Sequence, residues 1–159
     1  MRFEDCFERL MAYEGVFSGM RAFKERKQNW GISQEMADRY GWQFSLCDMT
    51  LGTSMDILRE QIWVPTNCAD LPEPIRLTIF DCAYHHGITH TSGMLMSAVG
   101  AKSENSEDQW VKKRIEALDP YLVRGKVLAQ RMTFLSFTPD WAELGQGWTR
   151  RIADILEAA

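Results

Sequence analysis

Apolar residues recur at helical spacing along nearly the whole chain, and the alternation of a half-buried strand surfaces only briefly, at Trp42, Phe44 and Leu46. Phe3, Phe7, Leu10 and Met11 fall at the i, i+4, i+7 and i+8 positions of one face, which predicts a helix from about Phe3 to Glu14 closed by Gly15. From Val16 to Ile32 the helical period is lost among charges and glycines, so this segment reads as an exposed loop or hairpin. Ser33 then caps a short helix ending near Tyr40, where Gly41 is the stop signal. Another helix covers about Ser54 to Trp63 and ends at Pro65.

In the second half, Pro74 stands near a helix start, and Ile75, Ile79, Cys82 and His86 form one stripe that Gly87 stops. The flanking Leu77, Phe80 and Ala83 are apolar too, which makes this the helix predicted to be most buried. Helices follow at about Thr91 to Val99 and Ser106 to Leu118, the second opened by Ser106 and Gln109 as a capping box. Asp119 and Pro120 open the next. Thr138 and Pro139 repeat that signal before a last helix carrying Trp141, Leu144, Trp148, Ile152 and Ile155. The expected fold is mainly all-α, seven or eight short helices in one domain over residues 1–159, with a short loop or β-hairpin after the first helix.

Composition narrows the function. At 159 residues the chain is long enough for one real core, and its 45% hydrophobic content places it among globular proteins. A net charge of −4 argues against nucleic acid as a partner. The basic run Arg21, Lys24, Arg26 and Lys27 reads as a solvated loop. Cys6, Cys47, Cys68 and Cys82 form no CxxC pair, so neither a zinc ribbon nor a redox motif is expected. The first residues lack the basic and then apolar pattern of a Sec signal, and no run of about 18 apolar residues suggests membrane insertion.

Glu14 stands out, because helical geometry puts it on the stripe of Phe3, Phe7, Leu10 and Met11. A carboxylate buried without a cation keeps its proton to higher pH and can deliver it to a leaving oxygen, as glycoside hydrolysis requires. The bland alternative is that Glu14 reaches water or pairs with Arg9. Cys82, His86 and His90 have the i, i+4, i+8 spacing of a zinc site, yet Gly87 breaks the helix first, and His86 reads better as a core or cleft-lining residue; no metal is expected. A Cys–His nucleophilic pair has no local feature to select it. Of the six tryptophans, Trp30 beside the loop is the candidate sugar contact, while Trp63, Trp110, Trp141 and Trp148 lie on helical stripes and read as core.

The stretch Tyr13 to Ser18 (YEGVFS), followed by Asn29 to Ser33 (NWGIS), resembles the signature of the lysozyme-like glycoside hydrolases of family 108, found among phage endolysins and bacterial secretion activators. That pattern, EGGYxxDPxDPGGxTNYGIT, matches Glu14, Asn29, Gly31 and Ile32 without a gap. Ile79 to Gly87 (IFDCAYHHG) resembles the FDxAVNxG segment that opens the family's peptidoglycan-binding region, and Gly147 to Arg151 (GWTRR) resembles its closing GWxxR. The resemblance implies a lysozyme-like helical fold, with residues 1–70 as the catalytic-type part and 71–159 as the peptidoglycan-binding-type part. It further implies N-acetylmuramidase activity with Glu14 as the acid, and for Arg151 an ion pair with a carboxylate at the core edge.

Departures from the pattern cluster beside the expected active site. Phe23 stands where the family has an aspartate, Glu25 and Arg26 replace its two glycines, Gln28 its threonine, and Val16 the second glycine after the glutamate; Lys102 to Trp110 (KSENSEDQW) replaces its DGxxG. A lysozyme needs a second group to stabilise the transition state or orient a water. Glu25 is the only acid between Glu14 and Asn29, and Gln28 or Asn29 can hold a water instead. The candidate site is therefore Glu14 and Glu25 for catalysis, with Gln28, Asn29, Trp30 and His86 for substrate binding.

Two function classes follow. The first is a peptidoglycan hydrolase cleaving the β-1,4 bond between N-acetylmuramic acid and N-acetylglucosamine. The second is a catalytically impaired lysozyme-fold protein that binds peptidoglycan or a protein partner. Neither needs a cofactor. Either is made in the cytoplasm and reaches the periplasm or cell wall through an export or holin partner.

Overall fold

The stripe that opens the chain folds as its spacing predicts. The computed structural model describes residues 1–14, 28–101 and 108–158, in which eight α-helices and one two-stranded hairpin make up the α and β structure. These residues fall into two compact units, Arg2–Pro65 and Thr66–Ala159 with Met1. The mainly helical, lysozyme-like class expected from the sequence holds.

In the first unit, α1 (Phe3–Glu14) buries Phe3, Cys6, Phe7 and Leu10. A helix this short is marginal alone in water. Packing of its apolar face makes up the difference, at about 1.5–3 kcal/mol for each large side chain buried. Its first turn is clipped to the segment that follows α3 (Leu51–Leu58). There the Phe3 ring meets that of Trp63 edge-on at 5.5 Å, the Arg59 guanidinium lies 4.3 Å over Phe3, and Arg59 Nη2 donates to Glu4 Oε1 at 2.8 Å.

The hairpin pairs β1 (Gln28–Asn29) with β2 (Ile32–Ser33) antiparallel, Gln28 opposite Ser33 and Asn29 opposite Ile32. Its two loop residues, Trp30 and Gly31, both have positive φ, 48° and 73°. Such a loop suits the twist of the flanking strands but favours Asn-Gly. Gly31 adopts it freely, whereas a bulky tryptophan there stores about 1–3 kcal/mol of strain.

α2 (Gln34–Tyr40) is capped as predicted: Ser33 Oγ accepts from the Met36 N–H, and Gly41 closes the helix at φ 83°. The alternating Trp42, Phe44 and Leu46 do not form a strand. Trp42 Nε1 donates to the Ser45 carbonyl, its ring meets Phe44 edge-on, and Leu46 begins a single 3-10 turn, Leu46–Asp48. α3 starts before the predicted Ser54 because Thr50 Oγ1 accepts from the Thr53 N–H at 3.1 Å, a cap the apolar periodicity does not reveal. A π-helical turn, Arg59–Trp63, continues it almost to Pro65.

In the second unit, α4 (Glu73–His86) carries Pro74 in its first turn and ends at Gly87. Ile75, Leu77, Thr78, Ile79, Phe80, Asp81, Cys82 and Ala83 are all buried, so the helix is covered on every side from Leu77 to Ala83, as its apolar flanks imply. It packs on α5 (Ile88–Ala98) and α7 (Pro120–Ser136), and α7 packs on α8 (Trp141–Glu157). α5 begins directly after Gly87, earlier than expected. The described part of α6 is Asp108–Ala117, and the predicted cap Ser106 lies outside the described residues. Asp119 caps α7 by accepting from the Tyr121 N–H at 2.9 Å.

The expected Thr138 cap of the last helix is replaced. Thr138 Oγ1 donates back to the Leu135 carbonyl and so closes α7, while α8 opens at Asp140 without a side-chain cap bond. Of the tryptophans read as core, Trp63 is buried, whereas Trp110, Trp141 and Trp148 are half-buried. The Trp141 ring lies against the backbone of Gly145, where an added Cβ would come within 2.8 Å of it.

Burial pushes the Cys82 thiol up to about 12. In the folded protein a thiol reagent should modify the exposed Cys47 within minutes and leave Cys82 unmodified until the chain is denatured, as peptide mass spectrometry will show.

Candidate active site

Glu14 is the last described residue of α1, one turn beyond buried Leu10, and it is half-buried. The carboxylate thus closes the apolar stripe. Its proposed partner Glu25, together with Phe23 and Arg26, lies outside the described residues. Gln28, Asn29 and Trp30 are brought together on the hairpin of the same unit.

These three differ in what they leave available. Gln28 and Trp30 keep part of their surface open. Asn29 is only 6% exposed, and its Nδ2 donates to the Leu46 carbonyl at 2.7 Å and the Met49 carbonyl at 3.4 Å. Its amide nitrogen therefore holds the hairpin to the 3-10 turn. The Trp30 carbonyl accepts from Ser54 Oγ at 2.7 Å, and Ser54 is fully buried on α3.

His86 belongs to the other unit, in a polar cluster that sequence reasoning only half anticipated. Asp81, 1% exposed, is gripped from two helices. Arg151 of α8 donates to its Oδ1 from Nε at 2.9 Å and Nη2 at 2.5 Å, and Arg131 of α7 donates to its Oδ2 from Nη1 at 2.5 Å. Burial alone would raise the Asp81 carboxyl, but Arg151 and then Arg131 outweigh it and hold the group below the usual carboxylate range. The carboxylate expected to pair with Arg151 is therefore Asp81. It and Arg131 went unnoticed in the sequence, although an aspartate set among Ile79, Phe80, Cys82 and Ala83 demands a cation.

Arg131 Nε also donates to His86 Nε2 at 3.1 Å, which requires a neutral imidazole. Burial first, and the Arg131 charge second, push His86 down from 6.5 to about 4. The His86 and His90 rings both pack against Phe134, at 5.3 and 4.5 Å. His90 sits on α5, beyond the break at Gly87, so the three residues with zinc-like spacing do not share a helix. Elsewhere in this unit an open groove of about 530 Å³ runs along α8, lined by Trp141, Gly145, Gln146, Thr149, Arg150 and Ala153. None of the described site residues derived from the sequence lines it.

With Glu14 at the end of its apolar helix and the NWGIS segment folded as a hairpin, the family comparison gains a structural setting. The family described as Glycosyl hydrolase 108 matches residues 7–87, which include both, and the chain belongs to that family. Membership supports a glycosidase of the peptidoglycan-hydrolase kind. Among solved structures, "Structure of Brucella abortus SagA" is similar over 98% of this chain and 92% of that one, with a TM-score of 0.87 at 20% identity. At that identity the likeness speaks for the fold. No curated protein sequence matches.

The cluster generates two expectations. Asp81→Asn leaves two buried guanidinium groups without their carboxylate and should cost about 3–5 kcal/mol, read as a lower urea midpoint. For His86, the unfolded chain binds a proton near pH 6.5 while the folded one resists until about 4, so stability should fall as pH drops between those values. His86→Gln, which keeps an acceptor for Arg131, should flatten that part of the stability-against-pH curve.

Proposed function

We propose that the protein is an N-acetylmuramidase that cleaves the β-1,4 bond between N-acetylmuramic acid and N-acetylglucosamine in peptidoglycan strands. The observation that carries the reading is Glu14: a half-buried carboxylate on the apolar face of α1, at the position of the family's glutamate and inside the matched residues. Glu14 protonates the glycosidic oxygen as the C–O bond breaks. Glu25 supplies the second carboxylate, facing the positive charge that develops on the sugar or taking the proton of the attacking water, and the distance between the two groups decides whether configuration is retained or inverted. Gln28 and Trp30 have the surface to meet a sugar, while Asn29 keeps the hairpin in place. The substrate lies in the cell wall, reached by export or holin release.

A specific observation keeps a second reading alive: Phe23 occupies the family's aspartate position, which removes a negative charge from where it is useful. In that reading the protein binds glycan strands without cutting them.

Purified sacculi, with mass spectrometry of the soluble products, separate the two. Glu14→Gln should lower muropeptide release at least about 100-fold with an unchanged melting temperature. Glu25→Gln should lower it by about 100-fold to 1,000-fold. Retained release in Glu14→Gln removes this acid from the mechanism, and retention on sacculi without any product from the unmodified protein supports the binding reading.

A further inference from the structure

The hairpin loop contains a residue that its conformation disfavours. Both loop positions need positive φ, the combination that Asn-Gly satisfies at no steric cost, yet the first is Trp30 at φ 48°. A bulky side chain there is a conformational outlier, and such outliers persist only where the surroundings enforce them. Here they do so at two points. Ser54, fully buried on α3, donates its hydroxyl to the Trp30 carbonyl at 2.7 Å. Asn29, immediately before the loop, is anchored to the carbonyls of Leu46 and Met49. One of these bonds holds the loop's backbone and the other two hold the strand residue before it; none involves the indole, which stays partly exposed.

We infer that Trp30 is a glycan-contacting residue held in a strained turn, with Ser54 as the positioning residue that fixes its backbone. The inference rests on the glycan-directed reading above and adds to it the cause of the strain. A turn selected for stability alone has no reason to hold an indole in the left-handed region. An amphipathic ring that loses little entropy on binding is suited to the apolar face of a sugar, and the fixed backbone lowers the cost of ordering it.

The two roles make opposite demands on one substitution. Trp30→Asn installs the preferred loop residue, so it should raise the melting temperature by about 2–4 °C while weakening retention on purified sacculi roughly tenfold. Binding is measured in the Glu14→Gln background so that the strands are not consumed. Ser54→Ala should weaken retention about threefold when Trp30 is present and not at all in the Trp30→Asn background, because its effect passes through the indole. Full retention by Trp30→Asn, with the Glu14→Gln parent retained, overturns this inference and leaves the muramidase reading standing. A melting temperature that falls in Trp30→Asn also overturns it, since the residue is then a structural one. If the unmodified protein neither binds nor cleaves sacculi, the glycan reading fails and this inference fails with it.

Discussion

Asp81 is the point about which the second unit is organised. The helix around it is covered on every side, so its carboxylate has no water to fall back on, and an unpaired charge there would cost several kcal/mol. Only guanidinium groups arriving together from α7 and α8 meet that demand, and they meet it with directional hydrogen bonds. Apolar surfaces tolerate sliding and repacking, whereas a carboxylate with three donors does not. The cluster therefore sets the register of α7 and α8 against α4. It also reaches His86, whose acceptor nitrogen takes the Arg131 Nε–H.

The same cluster explains two of the landmarks that mark the family in the sequence. Asp81 lies within the IFDCAYHHG segment, and Arg151 ends GWTRR. Far apart in the chain, they are the two sides of one ion pair. The resemblance pointed to a partner for Arg151, but it did not name one, because nothing along the chain indicates which carboxylate will face which helix. Arg131 was further hidden, because α7 buries a second arginine, Arg124, whose Nη2 goes to the Leu156 carbonyl and not to a carboxylate.

Local signals were legible where one residue decides a local geometry. The start of α1 and the Ser33 and Gly41 caps of α2 follow from apolar spacing, a hydroxyl and a glycine. Thr138 misled because the same hydroxyl can serve the helix behind it as well as the one ahead, and only packing decides. In the candidate site, the half-buried place of Glu14 on the stripe of α1 was legible from spacing. The structural use of Asn29 and the strain at Trp30 were not, since spacing carries no information about φ or about which distant carbonyls need a donor. Of the departures from the family pattern beside the site, Val16, Phe23, Glu25 and Arg26 lie between Glu14 and the hairpin, and Gln28 opens the hairpin itself.

Gly145 has a consequence for anyone reshaping this protein. Replacing glycines inside helices with alanine is a routine route to a more robust variant, because it removes backbone freedom from the denatured chain. Gly93, Gly125 and Gly147 offer open space to a new methyl group and suit that treatment. Gly145 does not: its missing side chain is the seat of the Trp141 ring, and a methyl group there would have to evict the indole that borders the α8 groove. A consensus or alanine-enrichment scheme applied uniformly to this helix would thus trade a small gain in propensity for a remodelled surface.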